Sequence, residues 1–129
     1  MPDGHPIWTS PVRPGREHDT TAARAHPGLL PALAAAKADG LPTLSDLGYE
    51  GEADTVRIPV KTPAGGTLTD DQKTYNRLHA AIRSQAERAN AQLKMRSKAL
   101  RRVSLCPWRI GHITAAALVL FHHEKGRTV

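Results

Sequence analysis

Arg83, Glu87, Asn90 and Lys94 recur at i, i+4, i+7 and i+11. At about 100° per residue they share one narrow stripe of a helix. A carboxylate at the rim of a helix packed on a sheet can face a cleft. Basic side chains one turn before it and two turns after it can hold phosphates. The same spacing also describes an ordinary surface pair of Arg83 with Glu87, worth about 0.2–0.5 kcal/mol. A second carboxylate, Asp46, closes an apolar stretch just before Gly48 and Tyr49. Beyond the carboxyl end of a strand an aspartate is well placed for a metal ion. An aspartate before glycine is equally a common turn former.

Charge points to the partner. Residues 1–67 hold six basic and eight acidic side chains, whereas residues 68–129 hold twelve and four. Between Arg88 and Arg102 there are six basic residues (Arg88, Lys94, Arg96, Lys98, Arg101, Arg102) and no acid. Such clustering suits a polyanion, with nucleic acid the foremost candidate; a solvated basic helix is the plainer alternative. Other reactive side chains read as structural. Asp19 beside His18 serves as a helix N-cap more simply than as an acid–base partner. His122 and His123 point different ways on a helix and suit a solvated helix end. Cys106 and Trp108 read as packing residues.

These residues need a frame. One cysteine excludes an internal disulfide and fits a reducing cytoplasm. The N-terminus has no secretory pattern. The longest apolar run, Ala115 to Phe121, is far short of the roughly 20 residues of a membrane span, which predicts a buried helix segment and no membrane partner. Asp3-Gly4 is a turn signal and Ile7 to Ser10 a short strand, so the sequence begins where a hairpin would turn. A helix follows Asp19; a second, Leu29 to Ala38, ends at Gly40. Strands are expected at Leu41 to Asp46 and Thr55 to Lys61, the latter an edge because of Pro59. Thr69 is the expected N-cap of a long helix reaching about Arg102. Its apolar stripe is Tyr75, Leu78, Ile82, Ala86, Ala89, Leu93 and Leu100. A last helix starts at Pro107 and ends near Glu124, before Gly126. The order of elements predicts an α/β or α+β class.

The run Leu44-Ser45-Asp46-Leu47-Gly48-Tyr49-Glu50-Gly51 resembles the second-aspartate motif of DDE-superfamily transposases in the bacterial insertion-sequence family numbered five. That family's third motif is Tyr, two residues, Arg, three residues, Glu, six residues, Lys. Arg83, Glu87 and Lys94 match its last three terms; Ala80 stands where the tyrosine would be. The segments Glu17 to Arg24, Lys73 to Asn76, Glu87 to Asn90 and Leu105 to Gly111 are similar to further family segments, in order along nearly the whole chain.

The resemblance implies an α/β, ribonuclease-H-like fold with a long motif-bearing helix and a C-terminal helix. It implies DNA, both transposon ends and target, as partner and Mg²⁺ (or Mn²⁺) as cofactor. In that fold three carboxylates hold two divalent ions about 3.5–4 Å apart, which stabilise the entering and leaving oxygens of a phosphodiester. Asp46 and Glu87 map to the second and third carboxylates, as catalytic and metal-binding residues. Arg83 and Lys94 would contact DNA ends, with Arg88, Arg96, Lys98 and Arg101 along the same basic stretch. The family's first aspartate lies on a strand before the expected hairpin, so residues 1–129 are expected to be a partial catalytic domain lacking that strand and any N-terminal DNA-binding region. Strand cleavage and transfer would then be impaired, and the unpaired sheet edge invites association, including homo-oligomers. The alternatives are a non-catalytic DNA-binding module and a decaying transposase remnant.

Overall fold

The computed structural model describes residues 4–101 and 106–126. Asp3 of the expected turn and the Arg102 end of the expected long helix lie outside them. The described chain is helical: α1 (Asp19–Ala25), α2 (Leu29–Ala38), a 3-10 helix (Leu47–Glu52), α3 (Asp70–Arg96), α4 (Lys98–Arg101) and α5 (Pro107–Glu124).

The α/β, ribonuclease-H-like expectation is overturned. Among the described residues the extended segments form no sheet; one isolated parallel bridge joins Leu44 to Arg57. The physical reason lies in where the backbone of the second segment finds its partners. Ser45 N donates to Arg57 O at 2.8 Å and Arg57 N to Thr43 O at 2.8 Å. Beyond that bridge, side chains of α3 take over. The Tyr75 hydroxyl donates to Ile58 O at 3.2 Å. The Asn76 amide both accepts from Val60 N (2.8 Å) and donates to Val60 O (2.9 Å). His79 Nε2 donates to Arg57 O at 3.1 Å, the carbonyl being able only to accept. Pro42 and Pro59 have no N–H to offer a ladder. Groups satisfied by helix side chains have no need of a neighbouring strand. Ile7 to Ser10 is likewise irregular, with Ile7 and Trp8 exposed.

The chain divides into two compact units, one of residues 1–12 with 84–129 and the other of 13–83; α3 begins in the second and ends in the first. In the unit of residues 13–83, Ala23, Val56, Thr20 and His79 are buried. α1 lies against the 3-10 helix, where Arg24 forms an ion pair with Glu52 and donates to Gly51 O at 3.2 Å. Lys37 of α2 donates to the Asp54 carbonyl. α2 closes through Gly40 at φ +81°, with Leu41 N returning to Ala36 O at 2.8 Å, a left-handed cap that glycine adopts without strain. α3 opens on a capping box: Thr69 Oγ1 accepts from Gln72 N (3.2 Å) while Gln72 Oε1 accepts from Thr69 N (3.0 Å).

In the other unit, Leu93 of α3 packs with Ala117, Leu118 and Phe121 of α5, and Leu100 lies against them. The His5 ring stands edge-on to Phe121 with centroids 4.8 Å apart. His122, expected at a solvated helix end, is buried and donates from Nε2 to Pro6 O at 2.6 Å; His123 is exposed. Cys106 and Trp108 are exposed rather than packed. The run Ala115 to Phe121 is buried only at Ala117, Leu118 and Phe121.

The apolar stripe expected of the long helix is divided. Ala89 and Leu93 are buried, but Leu78 and Ile82 are 61% and 57% exposed. The first half of α3 instead turns Tyr75, Asn76, His79 and Arg83 toward the loops of its own unit. The helix also breaks at Ser97 before resuming as α4.

Candidate functional site

Asp46 precedes the 3-10 helix as its N-cap, with φ −90° and ψ −177°. Its Oδ1 accepts from Gly48 N at 2.9 Å, the local side-chain-to-backbone bond that makes aspartate a turn former. That bond fixes one oxygen and leaves Oδ2 directed elsewhere. Oδ2 lies 3.9 Å from Arg83 Nη2 on α3, with both side chains partly exposed. The turn-forming role and a role in a site are therefore compatible: one oxygen serves each.

A third residue joins them. Asp19, expected as the N-cap of α1, is instead its first residue, and His18 occupies the cap position with no side-chain capping bond. The Asp19 carboxylate lies over Gly48. A Cβ built on Gly48 would stand 2.9 Å from Asp46 Oδ1 and in collision with Asp19 Oδ2. A side chain at residue 48 would push one or both carboxylate ends aside. Tyr49 follows, and its phenol is held above its ordinary range by burial first, then by the negative charges of Asp19 and Asp46. Sequence reasoning assigned Asp19 to helix capping. The signal that could have found it was its place in Glu17 to Arg24, a run resembling a family segment that contains His-Asp.

A family model described as DDE superfamily endonuclease matches residues 1–122. The chain belongs to that family. No curated protein and no solved structure matches it. DDE superfamily endonucleases act on DNA, and their domains generally use divalent metal ions. The resemblance to the insertion-sequence family numbered five is a finer reading than this match.

The residues of this DDE endonuclease chain can be tested against such an ion. Among the described residues, no three or more His, Cys, Asp or Glu side chains gather as a metal cluster. Two carboxylates do meet at Gly48, and hard oxygen donors suit Mg²⁺ or Mn²⁺. Both crowd the position that a Cβ on Gly48 would take. Their oxygens are of the donor type such an ion takes, but among the described residues two carboxylates fall short of a metal site.

Glu87 lies one helical turn beyond Arg83 on the continuous α3 and is exposed; it belongs to the unit of residues 84–129, and Asp46 and Arg83 to the other. Of the basic residues, Arg88, Lys94, Lys98 and Arg101 are exposed. None of these four makes an ion pair among the described residues, whereas Arg96 pairs with Glu124 at 2.7 Å. No helix among the described residues is long and apolar enough to cross a membrane.

Proposed function

We propose that this chain carries part of the catalytic site of a transposase-type DDE endonuclease, with Asp46 and Glu87 as metal-facing carboxylates and α3 with α4 as the DNA-facing element. The observation that carries the reading is Asp46 itself. One of its oxygens is tied to Gly48 N and the other is turned toward a cation, Arg83. A carboxylate so oriented is preorganised for a positive charge. Support for Glu87 comes from the motif spacing of Arg83, Glu87 and Lys94 and from family membership.

In such a reaction a bound divalent ion stabilises charge building on the scissile phosphate. The chain's own residues hold and orient. Asp46 and Glu87 supply oxygens, Arg83 balances the charge of Asp46 and reaches phosphate, and Arg88, Lys94, Lys98 and Arg101 grip the DNA backbone. Asp46 and Glu87 stand at two of the family's motif carboxylate positions.

A second reading, a non-catalytic DNA-binding module, draws on the four exposed basic residues that make no ion pair among the described residues. Glu87→Gln separates the two. Under the catalytic reading it abolishes whatever Mg²⁺-dependent cleavage of labelled DNA the chain retains. If cleavage is absent throughout and DNA binding is unchanged or tighter, the module reading prevails.

A further inference from the structure

We infer that His79 is a positioning residue for Asp46: its ring fixes the backbone that sets where the Asp46 carboxylate stands. The inference rests on the reading of Asp46 as a metal-facing carboxylate and adds a residue to which the motif resemblance gives no role.

Three observations combine. First, two donors meet at one acceptor. Arg57 O takes Ser45 N at 2.8 Å and His79 Nε2 at 3.1 Å, which uses both lone pairs of that carbonyl. Ser45 immediately precedes Asp46, and Arg57 N donates back to Thr43 O at 2.8 Å. His79 is therefore linked to the backbone that carries Asp46 through a single carbonyl. Secondly, α3 holds both the backbone and the side chain of Asp46. His79 secures the backbone through Arg57, and Arg83, one helical turn further on, faces Oδ2 at 3.9 Å. Residues at i and i+4 share one face of a helix, so the two holds move together. Oδ1 is tied to the neighbouring Gly48 N, so the backbone at residue 46 decides where the carboxylate lies. Thirdly, His79 is a poor choice for packing alone. It is 3% exposed, and its Nδ1 is buried with no hydrogen-bond partner among the described residues. An unpaired buried polar atom is destabilising, and leucine or phenylalanine would avoid it. What the imidazole has and they lack is the Nε2–H on Arg57 O.

The test follows the Gly48 amide of the full 129-residue chain by proton–nitrogen NMR, because that N–H is bonded to Asp46 Oδ1. Mn²⁺ affinity is measured in parallel by electron paramagnetic resonance. Asp46→Ala marks where the Gly48 signal lies without its acceptor. His79→Phe keeps a ring but has no Nε2–H. It is expected to move the signal toward the Asp46→Ala position and to weaken Mn²⁺ about tenfold. His79→Leu gives the same reading should the phenyl ring fail to fit. His79→Gln, whose amide can donate to the same carbonyl, is expected to restore both. Asn76→Leu removes the bonds to Val60 without touching Arg57 O; it lowers stability and should leave the Gly48 signal in place. An unmoved signal in His79→Phe and His79→Leu overturns the inference. So does a shift that His79→Gln fails to restore, or one that Asn76→Leu matches. Wild-type Mn²⁺ affinity in His79→Phe, with loss in Asp46→Ala, overturns it as well. A shift restored by His79→Gln, with Mn²⁺ affinity unchanged in Asp46→Ala, leaves His79 as the residue that places Asp46 and overturns the metal-facing reading instead.

Discussion

Arg83 Nη2 stands 3.9 Å from Asp46 Oδ2, so a helix residue and a loop residue far apart in sequence face each other as opposite charges. The contact closes the series by which the first half of α3 holds its own unit. Asn76 takes Val60, His79 takes Arg57, and Arg83 meets Asp46. Both charges are partly exposed, so the pair contributes little to stability, about 0–1 kcal/mol. Its consequence is for the carboxylate: a guanidinium beside Oδ2 competes with any metal ion for that oxygen.

Arg83→Gln is therefore expected to separate two properties. Chemical denaturation should shift by no more than about 1 kcal/mol, while Mn²⁺ affinity rises because the competing cation is gone. A fall in Mn²⁺ affinity would show that Arg83 supports the ion rather than competing with it.

Tyr49 reports on the carboxylate pair without any metal. Its phenol is raised above 10.0 by burial, then by Asp19, then by Asp46. Between the unfolded and folded values the folded chain holds a proton that the unfolded chain has lost. The Tyr49 contribution to stability is thus constant below pH 10.0 and is lost as pH rises beyond it. Following phenolate absorbance with pH, Asp19→Asn and Asp46→Asn should each bring the Tyr49 midpoint down. An unmoved midpoint in Asp19→Asn would mean that its charge is not beside Tyr49.

Asn76→Leu should be among the more damaging single changes in residues 13–83. It deletes both partners of Val60 and leaves a partly buried N–H and C=O unpaired. A cost of about 1–3 kcal/mol follows for each group left unsatisfied. His79→Leu should act similarly on Arg57 O, since His79 is only 3% exposed. Thermal unfolding measures both. Wild-type stability in Asn76→Leu would mean that the extended segment is not held by α3.

The basic residues should differ in their effect on DNA. Lys94 is exposed and makes no ion pair among the described residues, while Arg96 is engaged with Glu124 at 2.7 Å. Each phosphate contact contributes about 0.9 to the slope of log affinity against log salt on duplex DNA. Lys94→Gln should lower that slope by about one contact, and Arg96→Gln by less. Equal losses would show that DNA releases Arg96 from Glu124.

What could be read in the sequence was what is local. Thr69 caps α3, Gly40 ends α2, and α5 opens at Pro107; each depends on a few neighbouring residues. The sheet failed because strand pairing is a relation between distant segments, and periodicity at Thr55 to Lys61 cannot show that Tyr75, Asn76 and His79 will satisfy that backbone. The same limit applied to the α3 stripe, where Leu78 and Ile82 had the right spacing but lie on the face turned to solvent. At the site, the motif spacing singled out Asp46 and Arg83, which the fold brings face to face. Asp19 escaped notice because its place over Gly48 depends on how α1 packs, and a capping role explained it well enough in one dimension.

The most direct measurement is iron-mediated cleavage of the polypeptide. Fe²⁺ substituted for Mg²⁺, with ascorbate and peroxide, produces radicals that cut the chain beside the bound ion, and mass spectrometry locates the cuts. The account expects cuts clustered at residues 46–49, suppressed by excess Mg²⁺ and lost in Asp46→Asn. Cuts confined to other regions, or a pattern unchanged in Asp46→Asn, would contradict it.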